Sequence, residues 1–285
     1  MKIGFMQGRL SPIIDGKIQS FPWTNWQNEI QQASDNNLNF IEWTLDYKDL
    51  YLNPILTPEG VQEINKLKEK NNISIPSLTG DCFMQEPFWK ASLDKRNKLQ
   101  NDFINILYGC SKVNISIIVI PLVDNGTIEN YEQETILHSF LSSNRELFKK
   151  LSIRVCFESD FSPKKLAKFI SNYDHHTFGI NYDTGNSAAL GFNPIEEFDL
   201  YGKRIMNIHI KDRLYKGYTV PLGYGDTDFD TVFDLIKKYN YTGNLVLQTA
   251  RSENHDHLAV LLKYFKEVKR LAIKYNLNLT SYNES

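Results

Sequence analysis

The segment Asn207-Ile-His-Ile-Lys-Asp-Arg213 is a short apolar run that ends by presenting His209, Lys211, Asp212 and Arg213 within five residues. Imidazole, ammonium, carboxylate and guanidinium groups are costly to bury unpaired, so a strand that finishes in them predicts a site at its end. Working outward, seven further short apolar runs read as buried strands: Lys2–Met6, Phe40–Trp43, Ser74–Leu78, Ser116–Pro121, Arg154–Phe157, Phe178–Tyr182 and Leu245–Leu247, with the segment itself lying in Arg204–Ile210. Between them, helical spacing predicts Trp26–Asn36, Pro58–Lys70, Lys95–Ser111, Tyr131–Lys150, Pro163–Ser171, Pro194–Tyr201, Phe229–Lys238 and His257–Tyr275. Eight strands alternating with eight helices match a (β/α)8 TIM barrel; an open doubly wound sheet produces similar local patterns. No linker or shift in composition divides the chain. One domain is therefore expected over residues 1–285, with Asn276–Ser285 as a polar, poorly ordered tail.

The 285 residues are 41% hydrophobic and 23% charged, ordinary values for a globular protein. A net charge of −2 argues against nucleic acid as a partner. No stretch approaches the roughly 18 apolar residues of a membrane span, and polar residues follow Met1 too soon for a signal peptide. Cys82, Cys110 and Cys156 are odd in number and widely spaced, which predicts reduced thiols and a cytoplasmic location. Thr57-Pro58, Ser162-Pro163 and Asn193-Pro194 read as helix starts, and Asp160 as a cap for the helix that follows it. Tyr241-Thr-Gly-Asn244 reads as a turn in which glycine supplies a positive φ.

Catalytic groups of such barrels sit where the strands finish. Here the eight ends carry Gln7-Gly-Arg9, Glu42, Asp81, Asp124, Glu158-Ser-Asp160, Asp183-Thr-Gly-Asn186, His209–Arg213 and Gln248-Thr-Ala-Arg251, whereas the opposite ends have no comparable clusters. On three successive strands, Glu158, Asp183 and His209 can converge on one divalent cation with open positions for water or substrate. Carboxylates and imidazole without thiolate suit Mn²⁺, Mg²⁺, Co²⁺ or Zn²⁺. His175 and His176 are expected on the opposite face, and His255 and His257 are expected to be exposed.

Phe157-Glu158, Asn181-Tyr-Asp-Thr-Gly185, Ile208-His-Ile-Lys-Asp212, Leu222-Gly-Tyr-Gly-Asp-Thr-Asp-Phe229 and Tyr241-Thr-Gly243 with Leu245-Val-Leu-Gln248 resemble the sugar phosphate isomerase/epimerase family, which has the xylose isomerase-like TIM barrel. The opening Gly4-Phe-Met-Gln-Gly-Arg-Leu-Ser-Pro12 is similar to a subgroup of it. The resemblance implies a divalent metal held by Glu158, Asp183, His209 and Gln248, and proton transfer beside a sugar carbonyl by the first and last of these. The family has glutamate where this chain has Gln248, and many relatives have histidine where it has Asn186. An amide does not titrate, so two-base epimerisation through Glu158 and Gln248 is in question; either Glu158 acts alone as the one base, or Asp81, Lys211 or Asp212 replaces the missing partner.

Gln7, Arg9, Glu42, Asp81, Arg213 and Arg251 are the candidates to bind a small carbohydrate. The arginines suit an anionic substituent, and backbone N–H groups of Gly223-Tyr-Gly225 could hold a phosphate or carboxylate. Aromatics at Phe21, Trp23, Trp26, Trp43 and Phe83–Trp89 suit sugar stacking or the interface of a homo-oligomer. A lyase or dehydratase on the same scaffold, which needs one base, and a non-catalytic sugar-binding barrel are the rival readings. An abasic-site endonuclease would need a histidine-rich zinc site that the sequence lacks.

Overall fold

A computed structural model describes residues 1–280. Eight parallel strands close into a barrel: β1 (Ile3–Met6), β2 (Ile41–Thr44), β3 (Ser77–Thr79), β4 (Ile117–Leu122), β5 (Arg154–Ser159), β6 (Phe178–Asp183), β7 (Ile205–Ile210) and β8 (Leu245–Leu247). Each strand pairs with its sequence neighbours, and β8 returns to β1 through Ile3 opposite Leu245 and Phe5 opposite Leu247. Closure excludes the open sheet. Eight principal helices, α1 (Trp26–Asp35), α2 (Pro58–Asn71), α3 (Leu93–Lys112), α4 (Tyr131–Ser143), α5 (Pro163–Ser171), α6 (Pro194–Tyr201), α7 (Phe229–Lys238) and α8 (His257–Lys274), follow the strands in turn.

The pleat divides each strand between two environments. Ile3, Phe5, Ile41, Trp43, Ile118, Ile120, Phe157, Ile180, Ile208, Leu245 and Leu247 join one apolar cluster with helix residues. Their alternates point inward, where Met6, Phe40 and Val246 form one apolar group and Ile117, Val119 and Cys156 another. Gly4 makes room for this interior, since a Cβ there would lie 2.5 Å from the Phe40 carbonyl. Polar inward residues, among them Glu42, Ser77, Thr79, Asn181, Asn207 and His209, are also buried. Between β6 and β7 the register slips: Ile180 faces Ile205 and Asn181 faces Asn207, so Met206 is an extra residue.

Several local expectations are corrected. The predicted helix Tyr131–Lys150 is broken into α4 and a short helix, Arg145–Lys150, where the Asn144 amide donates to the Phe140 carbonyl at 2.8 Å. The third strand starts later than predicted, after Pro76. Thr57 caps α2 by accepting from Gly60 N, but Asp160 does not cap α5; it accepts from the Thr127 hydroxyl instead. Gly243 has no positive φ. The left-handed residue is Asn240 at φ 53, and Gly243 instead leaves space for the Tyr241 hydroxyl, 2.4 Å from where its Cβ would be. Of the expected tail, Leu277 is buried and Thr280 N donates to Met1 O at 2.9 Å, pinning this segment beside the start of β1. The remaining tail positions, 281–285, lie outside the described residues.

Candidate metal centre and active site

The site is built from the inward residues at the ends of β5, β6 and β7. Asp183 and His209 are direct register partners, and Glu158 is the next-to-last residue of β5. Their ligand atoms lie within 4.8 Å of one another, all three side chains buried. Below them Glu42, with no exposed surface, accepts from Ser77 Oγ (2.5 Å), Thr79 Oγ1 (2.6 Å) and Asn207 Nδ2 (2.9 Å). Its Oε1 is also 2.6 Å from His209 Nε2. His209 Nδ1 faces Glu158 Oε2 at 3.2 Å and the Asn181 amide at 3.0 Å. Burial works against a charged imidazole, but Glu42 and Glu158 outweigh it and hold His209 up to about 10. With the Nε2 proton kept by Glu42, release of the Nδ1 proton would free that nitrogen's lone pair for a cation, the carboxylate–histidine–metal arrangement.

Glu158 is held at both oxygens: Asn181 Nδ2 donates to Oε2 at 2.9 Å and Asn186 Nδ2 to Oε1 at 2.7 Å. Asn186 is itself fixed by Arg213, whose Nη1 donates to its Oδ1 at 2.8 Å. Asp183 accepts from Asn186 N through Oδ1, while its Oδ2 is buried with no hydrogen-bond partner and lies 3.5 Å from the Lys211 ammonium. An orphaned, buried carboxylate oxygen beside an imidazole and a second carboxylate is a donor set that a divalent cation satisfies. The residues fit a metal. Gln248 is differently engaged: Oε1 accepts from Lys211 Nζ at 3.4 Å and Nε2 donates to Gln19 Oε1 at 2.9 Å.

A cavity of about 820 Å³ opens above this centre, lined in part by Arg9, Gln19, Asp81, Glu158, Asn186, Lys211, Arg213 and Gln248. The other candidates are elsewhere. Glu42 and Gln7 have no exposed surface; Gln7 Oε1 accepts from Thr44 N. Glu42 therefore orients His209 and does not touch substrate. Arg251 is absent from the wall. It donates to the carbonyls of Ile18 and Ser11, and Arg9, although on the wall, donates to those of Ile18 and Thr249. Both arginines tie down the segment after β1. Asp212 is buried and accepts from Gly223 N (2.8 Å), Gly225 N (2.9 Å) and Thr227 N (3.1 Å). This corrects two expectations together: the carboxylate is consumed as a loop anchor, and those N–H groups are already satisfied and do not await an anion. The aromatics are corrected as well. Phe21, Trp26, Trp43, Phe83, Phe88 and Trp89 are buried in the core, and the cavity wall carries no aromatic ring. His175, His176 and His255 are exposed, but His257 is buried. The sequence reading missed Gln19, which only its contacts identify, and read Asn186 as a loss where it positions Glu158.

The family described as the xylose isomerase-like TIM barrel matches residues 30–268. The chain belongs to that family. Among its relatives, a protein of Haemophilus influenzae provisionally named L-ribulose-5-phosphate 3-epimerase is 25% identical over 256 residues, covering 84% of this chain and 88% of that protein. An inosose dehydratase of Clostridium botulinum is 23% identical over 239 residues, covering 73% and 78%. Of solved structures, an IolI protein with a bound zinc atom aligns at TM-score 0.75 with 15% identity over 96% of this chain and 99% of the other. The D-allulose 3-epimerase of Methylomonas sp. in complex with D-allulose aligns at 0.73 with 14% identity over 95% and 96%. At these identities the structural likeness establishes the fold, which the barrel closure had already given. Among the described residues no helix is long and apolar enough to cross a membrane.

Proposed function

We propose that this xylose isomerase-like barrel is a divalent-metal-dependent isomerase or epimerase that moves a proton next to the carbonyl of a sugar or sugar phosphate. The observation that carries the reading is the double position of Glu158, which belongs to the ligand cluster and also lines the cavity. Glu158, Asp183 and His209 would hold the cation, which would supply Lewis acidity toward a substrate carbonyl. The chain's own residues do the rest. Glu158 is the base, and amide donors from Asn181 and Asn186 fix the carboxylate so that its approach to a substrate carbon needs no reorganisation. Lys211 lines the cavity beside Asp183 and Gln248, where its ammonium stabilises negative charge that develops on a substrate oxygen.

A second reading, dehydration of a keto-polyol, is favoured by one specific observation: Gln248 is an amide, and elimination can proceed with Glu158 as the sole base. Both readings predict that the protein loaded with Mn²⁺ washes solvent deuterium into L-ribulose 5-phosphate, inosose or D-allulose, and that Glu158→Gln abolishes it, with a loss of at least about 100-fold. Proton NMR of the recovered sugar checks this. Epimer formation selects the first reading and loss of water the second. Sugar binding without exchange of any substrate would leave a non-catalytic barrel.

A further inference from the structure

Among the groups expected to stand in for the missing glutamate, Asp212 is occupied by three loop amides and Lys211 is paired with Asp183. Asp81 is situated otherwise. It follows β3, is 7% exposed, and lines the cavity. It also ends a hydrogen-bonded chain that crosses the barrel mouth. Lys211 Nζ donates to Gln248 Oε1 (3.4 Å), Gln248 Nε2 to Gln19 Oε1 (2.9 Å), and Gln19 Nε2 to Asp81 Oδ2 (2.7 Å). A lysine at one end can only donate and a carboxylate at the other accepts, so the charged ends fix the orientation of both amides. Gln19 lies in the segment after β1, so the chain follows the β8–β1–β3 half of the mouth. In the closed strand order β1, which precedes Gln19, lies across the barrel axis from β5 and Glu158, and Asp81 follows β3, two strands round from β5.

We propose that Asp81 is the second acid–base residue of this site, reaching the substrate from the β3 side of the cavity while Glu158 reaches it from β5. The proposal rests on the proton-transfer reading above. Glu158 takes the proton from the carbon beside the carbonyl, and the C–H electron pair passes into an enediolate. Asp81 then gives its carboxyl proton to the other face of the same carbon as that pair re-forms a C–H bond. Turnover leaves Glu158 protonated and Asp81 ionised, and both return to their starting states by exchange with solvent water. The environment of Asp81 suits the task. Burial raises it, the Gln19 hydrogen bond lowers it, Asp46 and Glu158 raise it further and Arg9 opposes them, with a result of about 7. A carboxyl that titrates there can give and take a proton near neutral pH.

The test uses the full-length protein loaded with Mn²⁺, in D₂O, with L-ribulose 5-phosphate, inosose and D-allulose as probes. With one base left, Asp81→Asn should return deuterium to the face from which the proton came. Wash-in to recovered substrate should then fall by no more than about threefold while epimer formation falls by about 100-fold or more. Asp81→Glu should recover at least about a tenth of the epimer formation, as a carboxylate with a longer reach. Epimer formation by Asp81→Asn near the wild-type rate overturns the proposal, and so does loss of exchange together with epimerisation in a variant that melts no lower than wild type. Should Asp81→Asn fail to fold, Gln19→Ala decides. It keeps the carboxyl but removes a donor that favours the ionised form, so the pH limb of epimer formation should move up while that of exchange stays in place. An unmoved limb overturns the proposal. Wild-type protein inert toward all three probes removes the proton-transfer reading and Asp81's role with it, whereas an active wild type with an indifferent Asp81→Asn removes Asp81's role alone.

Discussion

At Glu42 a carboxylate without exposed surface accepts from two hydroxyls, an amide and an imidazole. Glu42→Gln replaces one acceptor oxygen by an NH₂ group, so His209 loses the partner that fixes its proton on Nε2. Mn²⁺ affinity should fall by about 10- to 100-fold, measured by calorimetric titration; an unaltered affinity would mean that Glu42 only fills the barrel. Asp81 makes a prediction of opposite sign for stability. Burial holds its carboxyl up at about 7, against 3.8 for a free aspartate side chain. Ionising it therefore costs more in the folded protein than in the unfolded chain, and wild type loses stability as pH rises from about 4 to about 7. Asp81→Asn has no proton to lose there. It should melt higher than wild type at pH 8 and lose that advantage by pH 4, with an upper bound of roughly 4 kcal/mol at about 1.4 kcal/mol per pH unit. Equal melting across that range would place Asp81 in water. The candidate ligands Glu158, Asp183 and His209 were legible as strand-end polar groups. The depth of Glu42 was not, because a sequence gives the alternation of a strand but not the height of each inward residue along the barrel axis.

Elements carry a different kind of information. The loop after β7 reads as a glycine-rich anion cradle, and its geometry does cradle a carboxylate, but that of Asp212. Gly223 adopts φ +85, and a Cβ on Gly225 would lie 2.2 Å from Asp212 Oδ1, so both glycines serve the anchor. Asp212→Ala leaves three amides without their acceptor. It should destabilise the protein by about 3 kcal/mol, given roughly 1 kcal/mol or more for each buried donor left unpaired. Scanning calorimetry should record a fall of several degrees, at about 2–4 °C per kcal/mol in a chain of this size. The ligands on β5, β6 and β7 remain, so Mn²⁺ affinity should stay within about threefold, as expected of a residue that shapes a loop. A variant that melts normally but fails to bind the ion would return Asp212 to the chemistry. The eight strands were legible because each is a short, largely buried run whose core-facing residues are apolar. The break at Asn144 was not, since a single asparagine bonding back to Phe140 interrupts a pattern that is otherwise helical on both sides.

For the molecule as a whole, the cation site and the stability of the barrel are linked. The three ligands come from adjacent strands, and 25 residues separate Glu158 from Asp183 and 26 separate Asp183 from His209. The unfolded chain cannot present them together, so a cation that binds them binds the folded state almost alone. At about 100 times its dissociation constant it adds roughly 2.7 kcal/mol. Mn²⁺ should therefore raise the melting temperature of the wild type by several degrees and that of His209→Ala by none. Gln248→Glu sharpens the result. Its carboxylate would stand beside Lys211, which already bridges toward Asp183. It can pair with that ammonium or add a fourth ligand, the third negative one, to the ion. In the second case the Mn²⁺-induced rise exceeds that of the wild type. In the first, the melting temperature rises without Mn²⁺ and the increment on adding the ion is no larger than in the wild type. Melting curves with and without Mn²⁺ separate the two, and an increment below that of the wild type would show that the position of Gln248 faces away from the ion.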